Sequence, residues 1–132
     1  VEAKKRLHQD VFRSAVLRAY EQRCAVCRMP RRELLDAAHI ISDSDVRGEP
    51  VIPNGLALCK LHHGAYDANL IGIRPDHVID VSARLLAEHD GPTLEHALKG
   101  FNGRAIHVPR RDDLRPNVEH LAERYETFRR TA

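Results

Sequence analysis

The chain has 132 residues, of which 42% are hydrophobic and 30% are charged, and its formal net charge is +2. This size suits one domain with a single hydrophobic core, and the composition is that of a globular protein. No apolar run approaches the ~20 residues of a membrane-spanning helix, and the start does not resemble a signal peptide. We therefore expect a cytoplasmic protein without a membrane partner.

Hydrophobic periodicity and turn residues predict alternating helices and short strands. In chain order the predictions are helix 8–22, strand 34–41, loop 42–50, a turn at Asn54-Gly55, strand 56–58, helix 60–69, strands 71–74 and 77–81, helices 82–88 and 92–99, strand 105–108 and helix 117–129. Before them, the stretch from Val1 through Lys4-Lys5-Arg6 resembles a linker. We expect one α+β domain over residues 1–132, as a fragment of a longer protein.

Charge is distributed unevenly along the chain. Residues 1–32 contain nine Lys or Arg against three acidic residues, whereas residues 33–99 contain five against eleven. Acidic side chains between basic flanks would suit a cation-binding centre with edges that hold phosphate. Solvated helix surfaces of mixed sign would give the same distribution, so charge alone does not decide.

The three cysteines fall into two short metal-binding motifs. Cys24-x-x-Cys27 and Cys59-x-x-His62 each supply a close pair of ligands, and two such pairs complete the tetrahedron that structural Zn²⁺ prefers. Cysteines also occur as small buried hydrophobic residues or as a redox pair, but a redox pair does not need the second motif. The spacing predicts a structural zinc site with no open position for catalysis.

Three further polar residues, His39, Asn54 and His63, are interleaved with these motifs. His63 directly follows His62, and adjacent helical residues diverge by about 100°, so one ion does not easily take both rings. Taken alone, a strand histidine is more often structural than catalytic, and Asn-Gly is more often just a turn. Their order relative to the zinc pairs is what indicates a function.

The phrases LDAAHI, PNGLALC and LHHGAYDANLIGI resemble the zinc-containing HNH endonucleases over residues 24–73. The tail, with IHVPRRDDLRP, is similar to HNH domains of modification-dependent restriction nucleases. This resemblance implies a zinc-stapled ββα-metal core with additional helices and a small β-hairpin. It also implies a DNA endonuclease that uses a catalytic Mg²⁺ or Mn²⁺ beside structural Zn²⁺, and a covalently linked DNA-recognition domain.

The resemblance further implies roles for the interleaved residues. His39 would be the general base that takes a proton from the attacking water, since imidazole suits proton transfer near neutral pH. Asn54 would tie the loop to the first strand by hydrogen bonds and so aim His39. His63 would bind the catalytic divalent metal.

The sequence departs from the family pattern at Ala38, where many members carry a metal-binding Asp or His. Asp67, one helical turn after His63, and Asp36, on the same strand face as Ala38, are the expected replacements, and we favour Asp67. Asp67 would either bind the ion or hold the His63 ring. For phosphate contacts we single out three basic residues, Arg47, Arg110 and Arg111.

Two other functions stay open at this point. Ala38 favours a non-catalytic zinc-containing module that binds DNA or a protein. An RNA-cutting toxin domain on the same fold is also compatible with the sequence.

Overall fold

The computed structural model describes residues 2–132, so Val1 lies outside the described residues. Within them, the α-helices and β-strands are α1 (Glu2–Ala19), β1 (Leu35–His39), β2 (Gly55–Cys59), α2 (Lys60–Asp67), β3 (Ile71–Ile73), β4 (Ile79–Val81), α3 (Ala83–Leu86) and α4 (Val118–Thr131). A π-helical segment covers Thr93–Leu98, and 3₁₀ turns cover Arg32–Leu34, Ile52–Asn54, Lys99–Phe101 and Asp112–Leu114. The predicted α+β class is confirmed.

The ββα unit lies at the centre of the fold. β1 and β2 are antiparallel, with Leu35 opposite Cys59 and His39 opposite Gly55. β2 is buried along its whole length and leads directly into α2. The predicted ββα core is therefore confirmed, and it places the start of β1 and the end of β2 next to the first turn of α2.

Helix α1 covers this hairpin. Its buried side chains Phe12, Val16 and Leu17 recur at helical spacing, and burying each stabilises the fold by about 1.5–3 kcal/mol. A β-carbon at Gly55 would lie only 2.5 Å from Cγ2 of Val16, so glycine is what lets the helix pack directly on β2.

The second sheet, β3 and β4, is covered by the closing helix. Ile71 pairs with Val81 in antiparallel register. A β-carbon at Gly72 would approach the Phe128 ring to 2.5 Å, so α4 lies directly on β3. The helix begins after Asn117, whose side-chain oxygen accepts a hydrogen bond from the His120 amide at 3.1 Å. This packing brings the middle of α4 to the ββα unit.

Several predictions of local structure were wrong. α1 begins at Glu2, so the stretch containing Lys4-Lys5-Arg6 is helical rather than a linker, because Ala, Glu, Lys and Arg are strong helix formers. It ends at Ala19, before Glu21 and Gln22, which adopt φ of 58° and 59°.

The predicted turn at Asn54-Gly55 is also wrong. Asn54 closes a 3₁₀ turn and Gly55, with φ of −126°, already belongs to β2. The predicted strand 105–108 is reduced to one bridge between Val78 and Ala105, because the His107 amide donates instead to the Ala25 carbonyl. No helix within residues 2–132 combines the length and apolarity needed to cross a bilayer.

Candidate metal and catalytic sites

The four residues of the predicted zinc site lie together between the end of α1, the end of β2 and the first turn of α2. The ligand atoms of Cys24, Cys27, Cys59 and His62 are all within 4.8 Å of one another. The Cys27 and Cys59 sulfurs are 3.8 Å apart, and His62 Nδ1 is 3.2 Å from Cys59 Sγ and 3.7 Å from Cys24 Sγ. Zn–S bonds of about 2.3 Å in a tetrahedron separate two sulfurs by about 3.8 Å, so this cluster fits zinc.

The imidazole of His62 is held in the orientation that a zinc ligand needs. His62 is buried, and its Nε2 donates to the Ala97 carbonyl at 2.7 Å, which leaves Nδ1 for an ion. Burial opposes the charged ring, but hydrogen bonds to Cys24 and Cys59 raise the pKa of His62 to about 10. The cluster therefore favours positive charge among its sulfurs, which a divalent cation supplies.

The pKa values of two thiols in the same cluster are shifted in opposite directions. Hydrogen bonds from Cys27 and Cys59 hold the pKa of Cys24 well below its usual range. The pKa of Cys27 is raised because its thiol is hydrogen-bonded to Cys24. The thiolate form is therefore favoured at Cys24, which is buried, and thiolate is the form that binds metal.

A second cluster surrounds His63, on the other side of the same helical turn. Its Nδ1 lies 2.8 Å from Oδ2 of Asp36, and its Nε2 lies 3.1 Å from Oδ2 of Asp67. Asp36 also accepts from Nζ of Lys60 at 2.5 Å. Partial burial would raise the pKa of Asp36, but the hydrogen bonds from Lys60 and His63 lower it and keep this carboxylate charged.

The two carboxylates differ in a way that bears on metal binding. The Asp36 side chain is 24% exposed and held by Lys60, whereas the Asp67 side chain is 58% exposed. An imidazole that binds an ion through one nitrogen donates its other N–H to a carboxylate or carbonyl. This geometry fits Asp36 as the acceptor from Nδ1 of His63, with Nε2 and Asp67 facing a cation that solvent or phosphate oxygens also reach.

Asn54 ties the loop to the segment that follows His39. It is 1% exposed, and its Oδ1 accepts from the Ile41 amide at 2.9 Å. Its Nδ2 donates to the carbonyls of Ile41 and Glu49 at 3.0 and 3.1 Å. The backbone immediately after His39 is thereby fixed from both its donor and its acceptor sides.

His39 lies at the end of β1 on the opposite strand face from Asp36. Its ring stacks on Phe12 of α1, with centroids 4.5 Å apart and planes inclined by 26°. Because side chains alternate along a strand, this face is not the one that Asp36 presents to His63. The structure therefore brings His39 to α1, not into contact with His63.

An open cleft of about 230 Å³ lies beside His39. One helical face of α1, formed by Lys5, His8, Gln9 and Phe12, lines it together with Asp43, Gly48 and Pro50. Within residues 2–132, Lys5 and His8 are exposed and enter no ion pair, so this cleft carries an ammonium group and an imidazole that are free to contact a ligand. The helical spacing of these four α1 residues is visible in the sequence. It was not recognised because Lys5 fell in the stretch predicted to be a linker.

The three arginines predicted to contact phosphate already have acidic neighbours. Arg47 forms ion pairs with Asp45 at 3.0 Å and Glu123 at 2.7 Å. Arg111 pairs with Asp113 at 2.6 Å, and Arg110 lies 3.4 Å from a carboxylate oxygen of Glu21. All three are on the surface, so phosphate would have to compete with these carboxylates.

Arg124 of α4 lies beside both His39 and Asp67, and the sequence did not predict it. Its guanidinium donates to the carbonyls of His39 and Ile40 at 3.3 and 3.1 Å, and to the Tyr66 carbonyl at 3.1 Å. It also lies 3.5 Å from Oδ1 of Asp67. No sequence signal separates this arginine from the other charged residues of an amphipathic helix.

Comparison with known proteins agrees with this architecture. Residues 24–74 match the family described as HNH endonuclease. These 51 residues resemble that family over somewhat more than a third of the chain. The resemblance predicted from the sequence is confirmed. The matched residues 24–74, called the HNH segment below, include His39, the cluster around His63 and the predicted zinc ligands Cys24, Cys27, Cys59 and His62.

A solved structure adds a likeness in fold. The chain of a "Modification dependent TagI restriction endonuclease" superposes with a TM-score of 0.58 and 17% sequence identity, over 88% of the present chain. The match covers 36% of that protein, so the present chain spans about a third of its length. No curated protein sequence matches the chain. At this identity the likeness concerns the fold, which extends beyond the HNH segment to both flanks.

Proposed function

We propose that this chain is a metal-dependent endonuclease domain that hydrolyses phosphodiester bonds in DNA, with His39 as general base. The observation that carries the proposal is the position of His39. It stands at the end of β1 in an open cleft, on a backbone that Asn54 fixes, within a segment that resembles the HNH endonuclease family. A base needs this combination of access to solvent and a fixed orientation.

His39 and the His63 cluster would act from different sides of the substrate. In an in-line displacement the attacking and leaving oxygens lie on opposite sides of phosphorus. A base on one face of β1 and ligands on the other suit that requirement when the phosphate sits at the open end of the strand. When bound, a divalent ion there would stabilise negative charge on the leaving oxygen.

The chain's own residues would hold that ion as follows. Nε2 of His63 and a carboxylate oxygen of Asp67 would be the ligands, and Asp36 would accept the proton on Nδ1. Mg²⁺ or Mn²⁺ suits such a site, since these hard cations keep several water or phosphate oxygens beside one or two carboxylates. Cys24, Cys27, Cys59 and His62 would hold Zn²⁺ and take no part in hydrolysis.

For DNA binding we propose the cleft beside His39, with Lys5 as the principal phosphate contact. Its ammonium group has no carboxylate to leave within residues 2–132, in contrast to Arg47. The predicted roles of Arg47, Arg110 and Arg111 stay predictions. Phosphate contacts of this kind carry no sequence information, so recognition of a sequence or modification would fall to another domain.

The domain arrangement is part of the proposal. We propose that residues 1–132 form one HNH domain with its core at 24–73, and that it is the cleavage module of a longer restriction-type nuclease. The similarity over 36% of the TagI chain supports this. The cytoplasmic location expected from the sequence stays a prediction.

One observation favours the second candidate, a non-catalytic zinc-containing module that binds DNA or a protein. Ala38 is fully buried and brings no metal ligand to the face that meets α2, and His39 is stacked on Phe12. Such a module would bind its partner without cutting.

Cleavage by wild type and His39→Ala separates the two candidates. We expect nicking of plasmid DNA in Mg²⁺ or Mn²⁺, and a loss of about 10²- to 10⁴-fold in rate on His39→Ala, the usual contribution of a general base. His89→Ala is the matched control, since it removes an exposed imidazole that lies outside this cleft, and it should retain most activity. A parallel assay on RNA tests the toxin alternative. Absence of cleavage in either metal, or an undiminished rate in His39→Ala, would favour the binding module.

A further inference from the structure

Arg124 joins two elements that carry the proposed reactive groups. It stands on α4, outside the family-matched segment 24–74, and its side chain is only 17% exposed. One guanidinium nitrogen reaches the carbonyls that end β1, those of His39 and Ile40, and the other reaches the Tyr66 carbonyl in the last turn of α2. The strand with His39 and the helix with His63 therefore share one rigid connector.

The same guanidinium also contacts one of the two carboxylate oxygens of Asp67, and the other oxygen faces His63. Oδ1 lies 3.5 Å from Nη2 of Arg124, while Oδ2 lies 3.1 Å from Nε2 of His63. The guanidinium plane lies over the Tyr66 ring, 4.1 Å from its centroid, which restricts its movement. Arg124 thus orients the carboxylate oxygen that faces His63 and holds the other one away.

We propose that Arg124 is a positioning residue that sets the distance and orientation between His39 and the His63 and Asp67 pair. The inference rests on the proposed function, and it adds that the HNH segment alone does not fix its own reactive geometry. The planar fork of arginine can serve several carbonyls at once, whereas the single ammonium of lysine cannot reproduce that arrangement. Arg124→Lys keeps the positive charge but should therefore not reproduce the bonds that Arg124 makes to the three carbonyls.

The chain offers a matched control at the other end of the same strand. Arg13 donates through Nη2 to the carbonyls of Arg32 and Leu35, at 3.0 and 3.1 Å. Arg13→Gln therefore also removes arginine bonds to backbone carbonyls around β1, but at the start of the strand rather than at the end that carries His39. A purely structural role of Arg124 predicts the same consequences for both substitutions.

The experiment compares wild type, Arg124→Gln, Arg124→Lys and Arg13→Gln, each as the zinc-loaded 132-residue chain. We would measure Mn²⁺ affinity by calorimetry, kcat and KM on plasmid DNA, the melting temperature, and the ring ¹⁵N NMR signals of His39 and His63. Both Arg124 variants should lose about 10- to 100-fold in Mn²⁺ affinity and kcat, with little change in KM, as for other residues that orient metal ligands. Both imidazole signals should shift, although the two rings do not touch.

Arg13→Gln should lower the melting temperature and leave Mn²⁺ affinity, kcat and both ring signals unchanged. The inference is overturned if Arg124→Lys behaves as wild type, or if Arg13→Gln loses as much activity and affinity as Arg124→Gln. A wild type that neither cleaves DNA nor binds Mn²⁺ would refute the proposed function instead. The ring signals then decide alone: joint shifts in the Arg124 variants support positioning, and unshifted rings contradict it.

Discussion

The two clusters on the first turn of α2 differ although they are carried by adjacent residues. The cluster of His62 is made of sulfur and imidazole, is largely buried, and offers four ligands within 4.8 Å of one another. The cluster of His63 is made of imidazole and carboxylates, and Asp67 is 58% exposed. Because neighbouring helical residues diverge by about 100°, one turn can serve a closed cation site and an open one. Burial and donor chemistry, more than distance, distinguish the proposed structural site from the proposed reactive site.

The largest effect is expected from a substitution that disrupts the closed site, which is the cluster of His62 with the three cysteines. Cys24→Ser removes one of four ligands, and structural zinc typically contributes about 10–16 kcal/mol of binding free energy to folding, comparable to the whole stability of a domain. We expect loss of bound zinc and of the cooperative thermal unfolding transition. Zinc content by elemental analysis and calorimetry measure both.

Val26→Ala is the control for this substitution, since it lies in the same turn, is buried and provides no ligand. It should destabilise the protein moderately and keep stoichiometric zinc. A Cys24→Ser variant with wild-type zinc content and melting temperature would show that the closed site is wrongly assigned.

A smaller effect tests which carboxylate binds the ion in the open site, which is the cluster of His63 with Asp36 and Asp67. Asp67→Ala should lower Mn²⁺ affinity by more than the 10- to 100-fold typical of an orienting residue, because it removes a ligand, whereas Asp67→Asn should lower it less because the amide oxygen can still bind. Asp36→Asn should fall within that range, because it only loosens the His63 ring. Calorimetric titration of zinc-loaded protein measures all three.

Asp76→Asn provides the control, as Asp76 is an exposed acid whose partner is Arg74. Its Mn²⁺ affinity should be that of wild type. A larger loss in Asp36→Asn than in Asp67→Ala would exchange the two roles, and no loss in either would remove both residues from the site.

The smallest effect concerns the DNA-binding edge. Lys5→Ala should reduce the slope of log affinity against log salt by about 0.9, the value for one phosphate contact on duplex DNA. Arg47→Ala should change it less, because Asp45 and Glu123 already neutralise that guanidinium. Lys4→Ala, on the same helix but outside the cleft, is the control. Fluorescence anisotropy at several salt concentrations gives the slopes, and the reverse ranking would place the DNA on the Arg47 side.

Most residues of the two clusters could be predicted because members of each pair are close together in the sequence. Cys-x-x-Cys and Cys-x-x-His each form a pair within one turn, and His63 and Asp67 are one helical turn apart. The prediction that Asp36 shares the face of Ala38 follows from strand alternation in the same way. The structure accordingly places Asp36 and Asp67 on the two nitrogens of His63.

The remaining features depend on contacts between distant parts of the chain. Arg124 reaches His39 across 85 positions, and nothing in α4 marks it out from Arg129 or Arg130. The pairing of Arg47 with Glu123 spans 76 positions and is equally invisible. The stacking of His39 on Phe12 depends on the packing of α1 over the hairpin, which in turn depends on Gly55.

The most direct test of two distinct cation sites is anomalous diffraction from crystals of the zinc-loaded protein soaked in Mn²⁺, recorded at the absorption edges of both metals. We predict a tetrahedral zinc peak among Cys24, Cys27, Cys59 and His62, and a separate manganese peak beside Nε2 of His63 and the carboxylate of Asp67. A single shared peak, or manganese bound away from His63, would contradict the account.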